Sequence, residues 1–356
     1  MSKVLMKGNE AIGEAAIRAG CFNYFAYPIT PQSEVAEYLV RRMPEVGGVF
    51  LQGESEVAVS YMIFGAAAAG ARVFTTSSSP GISLMSEGIS YIAGAECPAV
   101  FVNIMRGGPG LGGILPSQAD YLQATKGIGH GDFRMLVMAP ASVQEAVEMV
   151  MKAFPLAEKY RNPVMILGDG MIGQMMEPVE FPDHLKSQPS DKNAWATNGM
   201  DTRGSATRNL VRSLYLDPEV LNQHNLNLKA KYEQMAREEI LYESYGMDTE
   251  YKVLIVSYGT MSRVCRTAID NLNAEGITAA MLRPQTLFPF PVNAIREAAA
   301  KASCTAVVSV EMSMGQMVED IERSVQGQRP VAWYGKCGGE IPTPEEVAEF
   351  VKTLVV

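Results

Sequence analysis

The chain of 356 residues has few of the side chains that usually bind metals or form disulfides. It contains five cysteines, and no two of them are spaced as Cys-x-x-Cys: Cys21, Cys97, Cys265, Cys304 and Cys337. This scatter argues against an iron–sulfur cluster held by this chain alone and against a disulfide framework. We therefore expect all five to be small buried hydrophobic residues.

Histidine is also scarce, with only His130, His184 and His224 in the chain. The chain therefore offers few histidines for a zinc site or a serine–histidine triad, and no metal ligands are predicted. His130 is the best placed for chemistry because it lies in the glycine-rich segment 127–132. A polar loop residue without chemistry is the simpler interpretation.

Long apolar runs and an excess of positive charge are missing as well. No run reaches the ~18 residues of a spanning helix, and the first ten residues lack a signal-peptide core. The net charge of -9 argues against nucleic acid and anionic membrane as main partners. These absences predict a cytoplasmic protein.

What the chain does contain indicates a globular α/β protein, with 47% hydrophobic residues and 32 glycines. Strand and helix patterns alternate in two regions, which predicts two domains with parallel sheets and right-handed crossovers. We expect the first domain at residues 1–185 and the second at 251–356. The polar segment 186–250 between them is predicted to be a linker with a long helix over 218–245.

The stretch 51–70 places two carboxylates at the head of an apolar helix. After Glu54 and Glu56, the next fourteen positions carry no charge, so the helix is expected to be buried on all sides. Acids in a first turn favour the helix dipole, with Gly53 or Ser55 as the cap, and this is the simpler explanation. The alternative is a partly desolvated carboxylate that exchanges a proton with a ligand base.

A proline-fixed turn, Tyr-Pro-Ile-Thr-Pro, follows the first predicted strand of this α/β pattern. Thr30 in this turn, or Ser33 after it, is a candidate cap for the next helix. Alternatively, the Thr30 hydroxyl faces a ligand at the carboxyl end of a strand, where open α/β sheets bind ligands. Spacing alone leaves both interpretations open.

Arg106 ends a buried apolar strand and opens the loop Arg-Gly-Gly-Pro-Gly-Leu-Gly-Gly. The loop contains a Gly-x-Gly-x-x-Gly sequence, but Pro109 and Pro116 interrupt any helix across it, so a dinucleotide site is not predicted. Such a loop lets backbone amides and Arg106 approach an anion or a neighbouring chain. Arg106 needs a partner, either a structural carboxylate or a substrate carboxylate.

Two further features have a structural and a functional interpretation. Gly168-Asp169-Gly170, followed by Asn193 or Asn198, matches the spacing of the diphosphate and metal motif of thiamine enzymes, but its setting favours a tight turn. In the second region, Arg283 and Glu311 at strand ends are the best functional candidates. Structural pairing or contact with a partner is the simpler explanation for both.

Eight ordered motifs together resemble one family, the α subunits of 2-oxoacid:ferredoxin oxidoreductases. They are YPITPQSE, GESEVA, SSSPGISLMSEGISYIAGAE, RGGPGLG, GHGD, LGDGMIGQMMEP, LRPQTLFPFP and VVSVEMSMGQM. The chain most resembles the branched-chain (2-oxoisovalerate) type, with the 2-oxoglutarate type close to it. The resemblance implies a pyrimidine-binding domain for thiamine diphosphate at 1–185 and a transketolase C-terminal-like domain at 251–356.

Carried over by position, the resemblance gives roles to particular residues. Glu56 matches the glutamate that hydrogen-bonds the aminopyrimidine ring and controls its tautomer, and Glu54 is close enough to share that role. Thr30 matches the threonine beside the reacting 2-oxoacid, with Pro28 and Ile29 in the same cofactor-binding turn. Arg106 matches the arginine near the substrate carboxylate.

The resemblance also implies partners and cofactors. Thiamine diphosphate would be shared with a β subunit that carries the diphosphate site and Mg²⁺, and coenzyme A would be a cosubstrate. A γ subunit, a ferredoxin-like subunit with iron–sulfur clusters and ferredoxin would complete the system. Two alternatives from other classes stay open: a non-catalytic scaffold subunit and an NAD-dependent dehydrogenase.

Overall fold

A computed structural model describes residues 3–199 and 207–355 of the chain. Residues 1–2, 200–206 and 356, which belong to the first predicted domain, the predicted linker and the second predicted domain, lie outside this part.

The first half of the chain forms these elements in order: β1 Val4–Lys7, α1 Gly8–Arg18, β2 Asn23–Ala26, α2 Ser33–Glu45, β3 Val49–Gln52, α3 Glu56–Ala68, β4 Phe74–Ser77, α4 Ser79–Gly94, β5 Ala99–Met105, β6 Leu136–Met138, α5 Val143–Tyr160, β7 Pro163–Asp169, α6 Gly170–Gln174 and β8 Met176–Val179. The second half forms α7 Pro218–Glu238, β9 Tyr242–Tyr245, β10 Val253–Val256, α8 Met261–Ala274, β11 Ala279–Pro284, β12 Thr286–Phe288, α9 Val292–Ala299, β13 Ala306–Glu311, α10 Val318–Val325, β14 Val331–Gly335 and α11 Pro344–Lys352.

Two mostly parallel sheets dominate the described residues, which confirms the predicted α/β class. The larger sheet has the strand order β12-β6-β7-β5-β4-β2-β3, and the smaller has the order β14-β13-β10-β11-β9. Every residue of β5 and β7 is buried, because helices cover both faces of the larger sheet. The carboxyl ends of β2, β4 and β5 therefore meet at one edge, and this edge carries the candidate site.

The second half of the chain contributes to both sheets. The segment 284–291 was predicted to be a proline-fixed loop, but Thr286–Phe288 within it forms strand β12 and pairs with β6 of the larger sheet. The predicted long helix also ends earlier than expected, at Glu238, and residues Tyr242–Tyr245 pair antiparallel with β11. The helix prediction was wrong over these last residues, whose burial alternates along a strand. The domain boundaries at 185 and 250 stay predictions.

Buried polar contacts join the two halves. Arg283 at the end of β11 is almost fully buried, and its guanidinium donates to both oxygens of Glu145 on α5 at 2.8 and 2.6 Å. The structural interpretation of Arg283 is therefore confirmed. Glu311 is also structural, since its carboxylate accepts from the side chains of Ser309 and Ser313 and from the amides of residues 316–318, at the start of α10.

A second buried cluster fixes the segment that follows the larger sheet. Glu158 on α5 accepts two hydrogen bonds from Arg72, at 2.9 and 2.8 Å, and pairs with Lys192 at 2.9 Å. Arg72 also donates to the carbonyl oxygens of Ser187 and Gln188. The first part of the predicted linker is thus docked on the larger sheet and its helices.

The cysteine prediction holds for four of the five residues. Cys337 is exposed, because it lies in a loop after β14 rather than in the core. Within residues 3–199 and 207–355, no helix is long and apolar enough to cross a membrane.

Candidate active site

Glu56 is the first residue of α3, and its side chain is buried with 6% of the residue exposed. Ser55 caps the helix, because its hydroxyl accepts a hydrogen bond from the Ala58 amide at 3.2 Å, as one of the sequence alternatives predicted. Glu54 is exposed. The two acids therefore differ in environment, and only Glu56 lies in the interior of the site.

Gly81 in the first turn of α4 lies directly beside Glu56. A methyl group built on Gly81 would lie 2.8 Å from Glu56 Oε1 and 2.1 Å from Ser77 Oγ. Only glycine lets the α4 backbone come this close. As a result, the carboxyl group of Glu56 and the hydroxyl of Ser77 border the same small space.

Several buried polar atoms of β4, of β5 and of the residue after β4 have no hydrogen-bond partner. They are Thr75 Oγ1, Ser77 Oγ, Ser78 Oγ and Asn103 Oδ1, and Ser77 Oγ borders the space beside Glu56. Buried polar groups in native proteins are nearly always hydrogen-bonded, so a cluster of unpartnered ones indicates a place for a polar ligand or ordered water. Sequence reasoning missed these serines, although the run of Ser77, Ser78 and Ser79 after a strand was a visible signal.

Thr30 lies in the turn after β2, and its residue is exposed. The capping interpretation is wrong, because Gln32 is the N-cap of α2 and no side chain caps that helix. Two hydrogen bonds from neighbouring elements hold the end of this turn. Asn9 Nδ2 donates to the Pro31 carbonyl oxygen at 2.8 Å, and Thr76 Oγ1 donates to Gln32 Oε1. The neighbouring Pro28 is exposed and Ile29 is half-buried.

Arg106 is buried, with 7% of the residue exposed, and it reaches the Thr30 turn. Its Nη1 donates to the Thr30 carbonyl oxygen at 3.0 Å and its Nη2 to the Leu111 carbonyl oxygen at 3.1 Å. Its Nε has no partner, and no carboxylate of the described chain forms an ion pair with it. The structural carboxylate that one alternative required is therefore absent from the described residues, and the charge of Arg106 is free for an anionic ligand.

The loop after Arg106 is a tight turn without a helix. The amide of Gly107 donates a hydrogen bond to the Leu115 carbonyl oxygen. The amide of Gly113 donates a hydrogen bond to the Gly107 carbonyl oxygen. A side chain on Gly112, whose φ is +58°, would lie 1.9 Å from the Gly107 oxygen. No helix begins across the Gly-x-Gly-x-x-Gly sequence, as predicted, and the geometry of a dinucleotide fingerprint is not formed.

Two residues with alternative functional interpretations have structural roles. Asp169 ends β7 and caps α6, since its Oδ1 accepts from the amides of Met171 and Ile172 at 3.0 and 3.1 Å. Its Oδ2 accepts from Thr260 Oγ1 at 2.5 Å. Burial raises the pKa of the Asp169 carboxyl although these donors lower it. His130 is an exposed loop residue whose ring packs edge-on against Tyr91, in line with the simpler interpretation.

Apolar side chains lie exposed around the site. Helix α3 was predicted to be buried on all sides, but Val57 and Tyr61 on one face are 39% and 40% exposed. The expectation was wrong for this chain alone, because only the face with Val59, Ile63 and Ala67 packs on the core. On the loop after Arg106, Leu111 is 85% exposed. Exposed apolar surface of this kind marks a contact with another protein chain or a ligand.

Comparisons with known proteins match nearly the whole chain. Residues 14–244 match the family described as pyruvate flavodoxin/ferredoxin oxidoreductase, thiamine diphosphate-binding, and residues 252–347 match pyruvate:ferredoxin oxidoreductase core domain II. The ketoisovalerate oxidoreductase subunit VorB of Methanothermobacter thermautotrophicus is 48% identical over 99% of this chain and 98% of its own length. The 2-oxoglutarate synthase subunit KorA of the same organism is 35% identical over 97% of both chains.

Among solved structures, a chain of the 2-oxoglutarate:ferredoxin oxidoreductase from Magnetococcus marinus superposes with a TM-score of 0.84 and 27% identity. That structure has 2-oxoglutarate, coenzyme A and succinyl-CoA bound. The superposition covers 100% of this chain and 66% of that one. A split-gene transketolase, at a TM-score of 0.60 and 17% identity, shares the fold.

Proposed function

This chain belongs to the pyruvate flavodoxin/ferredoxin oxidoreductase family, and on that premise we propose that it forms one half of a thiamine diphosphate site. It is a subunit of a 2-oxoacid:ferredoxin oxidoreductase. With its partners, it converts a 2-oxoacid and coenzyme A into an acyl-CoA and CO2 and passes the electrons to ferredoxin. The complex acts in the cytoplasm.

The residues around Glu56 fit the aminopyrimidine ring of the cofactor. That ring carries nitrogen acceptors and an amino donor, and the site offers a buried carboxyl group with the unpartnered Ser77 hydroxyl beside it. Glu56 is assigned to a ring nitrogen, and the turn Pro28, Ile29 and Thr30 to the edge of the bound cofactor. Because Glu54 is exposed, it is the weaker candidate for the same contact.

The diphosphate and Mg²⁺ are assigned to the β subunit. The only motif of this chain that resembles their usual site centres on Asp169, and both of its carboxylate oxygens accept hydrogen bonds within the chain. The pattern supports division of the cofactor site between two chains.

Bound thiamine diphosphate supplies the nucleophile and the electron sink for decarboxylation. The chain itself has three tasks. Glu56 holds or releases a proton at the aminopyrimidine nitrogen. Arg106 binds the carboxylate of the 2-oxoacid with a charge-assisted hydrogen bond, and its bond to the Thr30 carbonyl oxygen keeps the two residues together. The Thr30 hydroxyl faces the reacting group.

Charge around Arg106 favours 2-oxoisovalerate over 2-oxoglutarate. Three of the segments that form this edge, 27–33, 77–83 and 106–117, contain a single charged side chain, that of Arg106. The other charges near the edge, Glu54, Glu56 and Asp120, are acids, so Arg106 is the cation available to a substrate carboxylate. One cation suits a 2-oxoacid with one carboxylate and an apolar side chain, whereas 2-oxoglutarate has a second carboxylate to neutralise. The 48% identity to a ketoisovalerate oxidoreductase subunit, against 35% to a 2-oxoglutarate synthase subunit, agrees with this choice.

The partners are inferred from the exposed surface of the half-site and from the steps of the reaction to which this chain contributes no residues. The exposed face of α3 and Leu111 surround the half-site, and the β subunit is expected to cover them. The γ subunit, a ferredoxin-like subunit with the iron–sulfur clusters, and ferredoxin complete electron transfer. Coenzyme A takes the acyl group.

The observation that carries the proposal is the buried Glu56 beside unpartnered hydroxyls, on the same sheet edge as the unpaired Arg106. The test is reduction of a viologen dye by the purified complex with coenzyme A and one 2-oxoacid at a time. We expect 2-oxoisovalerate to give the highest kcat/KM. A complex that reduces dye only with NADH or another hydride donor would contradict the proposal, and activity in a complex that lacks this chain would leave it a scaffold.

A further inference from the structure

Asp120 is a carboxylate beside the candidate site to which the proposed function gives no role. Its Oδ2 accepts two hydrogen bonds, from Ser79 Oγ at 2.6 Å and from Asn103 Nδ2 at 2.9 Å. No cation of the described chain forms an ion pair with it. Burial raises the pKa of Asp120, although the two donors lower it. Asp120 is half-buried, and a partly desolvated carboxylate without a counter-ion depends on its hydrogen-bond donors.

The Ser79 hydroxyl is the link from Asp120 to Arg106. While it donates to Asp120, its oxygen accepts a hydrogen bond from the Arg106 backbone amide at 3.0 Å. The Arg106 carbonyl oxygen lies 3.3 Å from the same hydroxyl and is the competing acceptor. Because a hydroxyl has one hydrogen, the short bond to Asp120 directs that hydrogen away from the carbonyl and leaves a lone pair for the amide.

Ser79 is also the first residue of α4, two residues before Gly81. Gly81 borders the Glu56 carboxyl group. The first turn of α4 therefore connects the backbone of Arg106 to the space beside Glu56. A shift of Ser79 would therefore change the distance between Arg106 and Glu56.

We propose that Asp120 is a positioning residue, which acts through Ser79 to set the position of Arg106 relative to the ligand held at Glu56. This inference rests on the proposed function, because it takes Arg106 as the contact for the substrate carboxylate. A displaced guanidinium binds the substrate carboxylate less tightly, which weakens substrate binding without changing the groups that react. In this proposal Asp120 acts through Ser79 and not by contact with the substrate or the cofactor.

The test uses the purified complex with variants of this chain. Ser79→Ala and Asp120→Ala should raise KM for the 2-oxoacid roughly tenfold, about the effect of losing one hydrogen bond to a charged group. In both variants kcat and thiamine diphosphate content should change little, whereas a merely structural role would lower the active fraction and leave KM unchanged. Ser79→Thr keeps the hydroxyl and should restore KM to near the wild-type value. Ser86→Ala is the control, because Ser86 lies two turns further along α4 than Ser79. Ser83 is not suitable, since its hydroxyl donates to the Ser79 carbonyl oxygen.

Hydrogen exchange supplies a readout that does not depend on turnover. Amides of residues 106–115 should exchange faster in Ser79→Ala and Asp120→Ala, but not in Ser86→Ala, because the Arg106 amide loses an ordered acceptor. Unchanged exchange in this segment, or an unchanged KM in an active complex, would overturn the positioning role. A wild-type complex that turns over no 2-oxoacid would instead refute the proposed function, and the exchange data would still decide whether Asp120 orders Arg106.

Discussion

Glu56 and Glu54 lie two residues apart, but only Glu56 is buried in the site. We predict that Glu56→Gln slows exchange of the cofactor's thiazolium proton by roughly 10² to 10⁴, as expected for loss of an acid–base group. Glutamine keeps the volume and the helix but cannot take up or release that proton. The measurement is NMR of the cofactor after acid quench of the assembled complex.

Glu54→Gln serves as the matched control, because it removes the same charge from the same helix end. If Glu56 only balanced the dipole of α3, Glu56→Gln would cost about 0.3 to 1 kcal/mol of stability and little activity. Normal exchange in Glu56→Gln would refute the assignment. Slow exchange in Glu54→Gln alone would move the role two residues upstream.

Arg106 provides the second test at this scale. Arg106→Lys should lower kcat/KM for the 2-oxoacid roughly ten- to hundredfold, because an ammonium group cannot form the fork of hydrogen bonds that joins a substrate carboxylate and two carbonyl oxygens. Cofactor content should not change, since Arg106 does not border Glu56. Steady-state kinetics with a range of 2-oxoacid concentrations give the answer, and unchanged efficiency would return Arg106 to a structural role.

Sequence patterns could identify Glu56, Arg106 and Thr30, but not the residues that support them. Arg106 was visible as a lone charge after an apolar strand, and Glu56 as one of two acids ahead of an apolar helix. Ser77, Ser79 and Asp120 were not, because their significance lies in contacts between residues far apart in the chain. The bond from Arg106 to the Thr30 carbonyl oxygen also spans many residues and has no local signal.

At the scale of elements, the parallel strands were predictable because buried apolar runs alternate with helix patterns. Short strands at the sheet edges were missed, including β9 and β12, since their residues are few and flanked by prolines or polar side chains. Helix α3 shows a different limit of the sequence. An apolar sequence predicted burial on all sides, but one face of this helix is exposed in the single chain, and we predict that a partner subunit covers it.

The contact between α5 and the segment 187–192 gives a prediction on stability. Burial would raise the pKa of the Glu158 carboxyl, but hydrogen bonds from Arg72 and Lys192 outweigh it and lower this pKa to about 2. Since the folded pKa lies below the unfolded one, the stabilisation is present at neutral pH. It is lost as pH falls from about 4.5 toward 2.

We therefore predict that Glu158→Gln lowers the free energy of unfolding at neutral pH by about 3 kcal/mol, because it leaves two buried cations with no counter-ion. Urea unfolding at several pH values should show a shallower loss of stability below pH 4.5 in this variant than in the wild type. Glu37→Gln, at an exposed position of α2, is the control. Parallel pH profiles for Glu158→Gln and the wild type would contradict the assignment.

For the whole molecule, the two halves are less separate than the sequence indicated. One buried cluster contains Val59 and Phe101 of the first half together with Leu254 and Leu282 of the second. Composition could reveal two α/β patterns, but the contacts between them depend on tertiary packing. The same limit applies to partners, because nothing in a single chain specifies what covers its exposed apolar face.

The last prediction concerns cofactor binding by this chain without its partners. Half of the proposed site is here, since the proposal assigns Glu56, the serine hydroxyls and the Thr30 turn to the aminopyrimidine end of the cofactor alone. The diphosphate carries most of the charge of the cofactor, and Asp169 has both oxygens occupied within the chain. We expect isothermal titration calorimetry with Mg²⁺ to show no tight binding of thiamine diphosphate to the isolated chain. The assembled complex, titrated after removal of its cofactor, is the positive control, and a dissociation constant of about 1 μM or tighter for the chain alone would contradict a divided site.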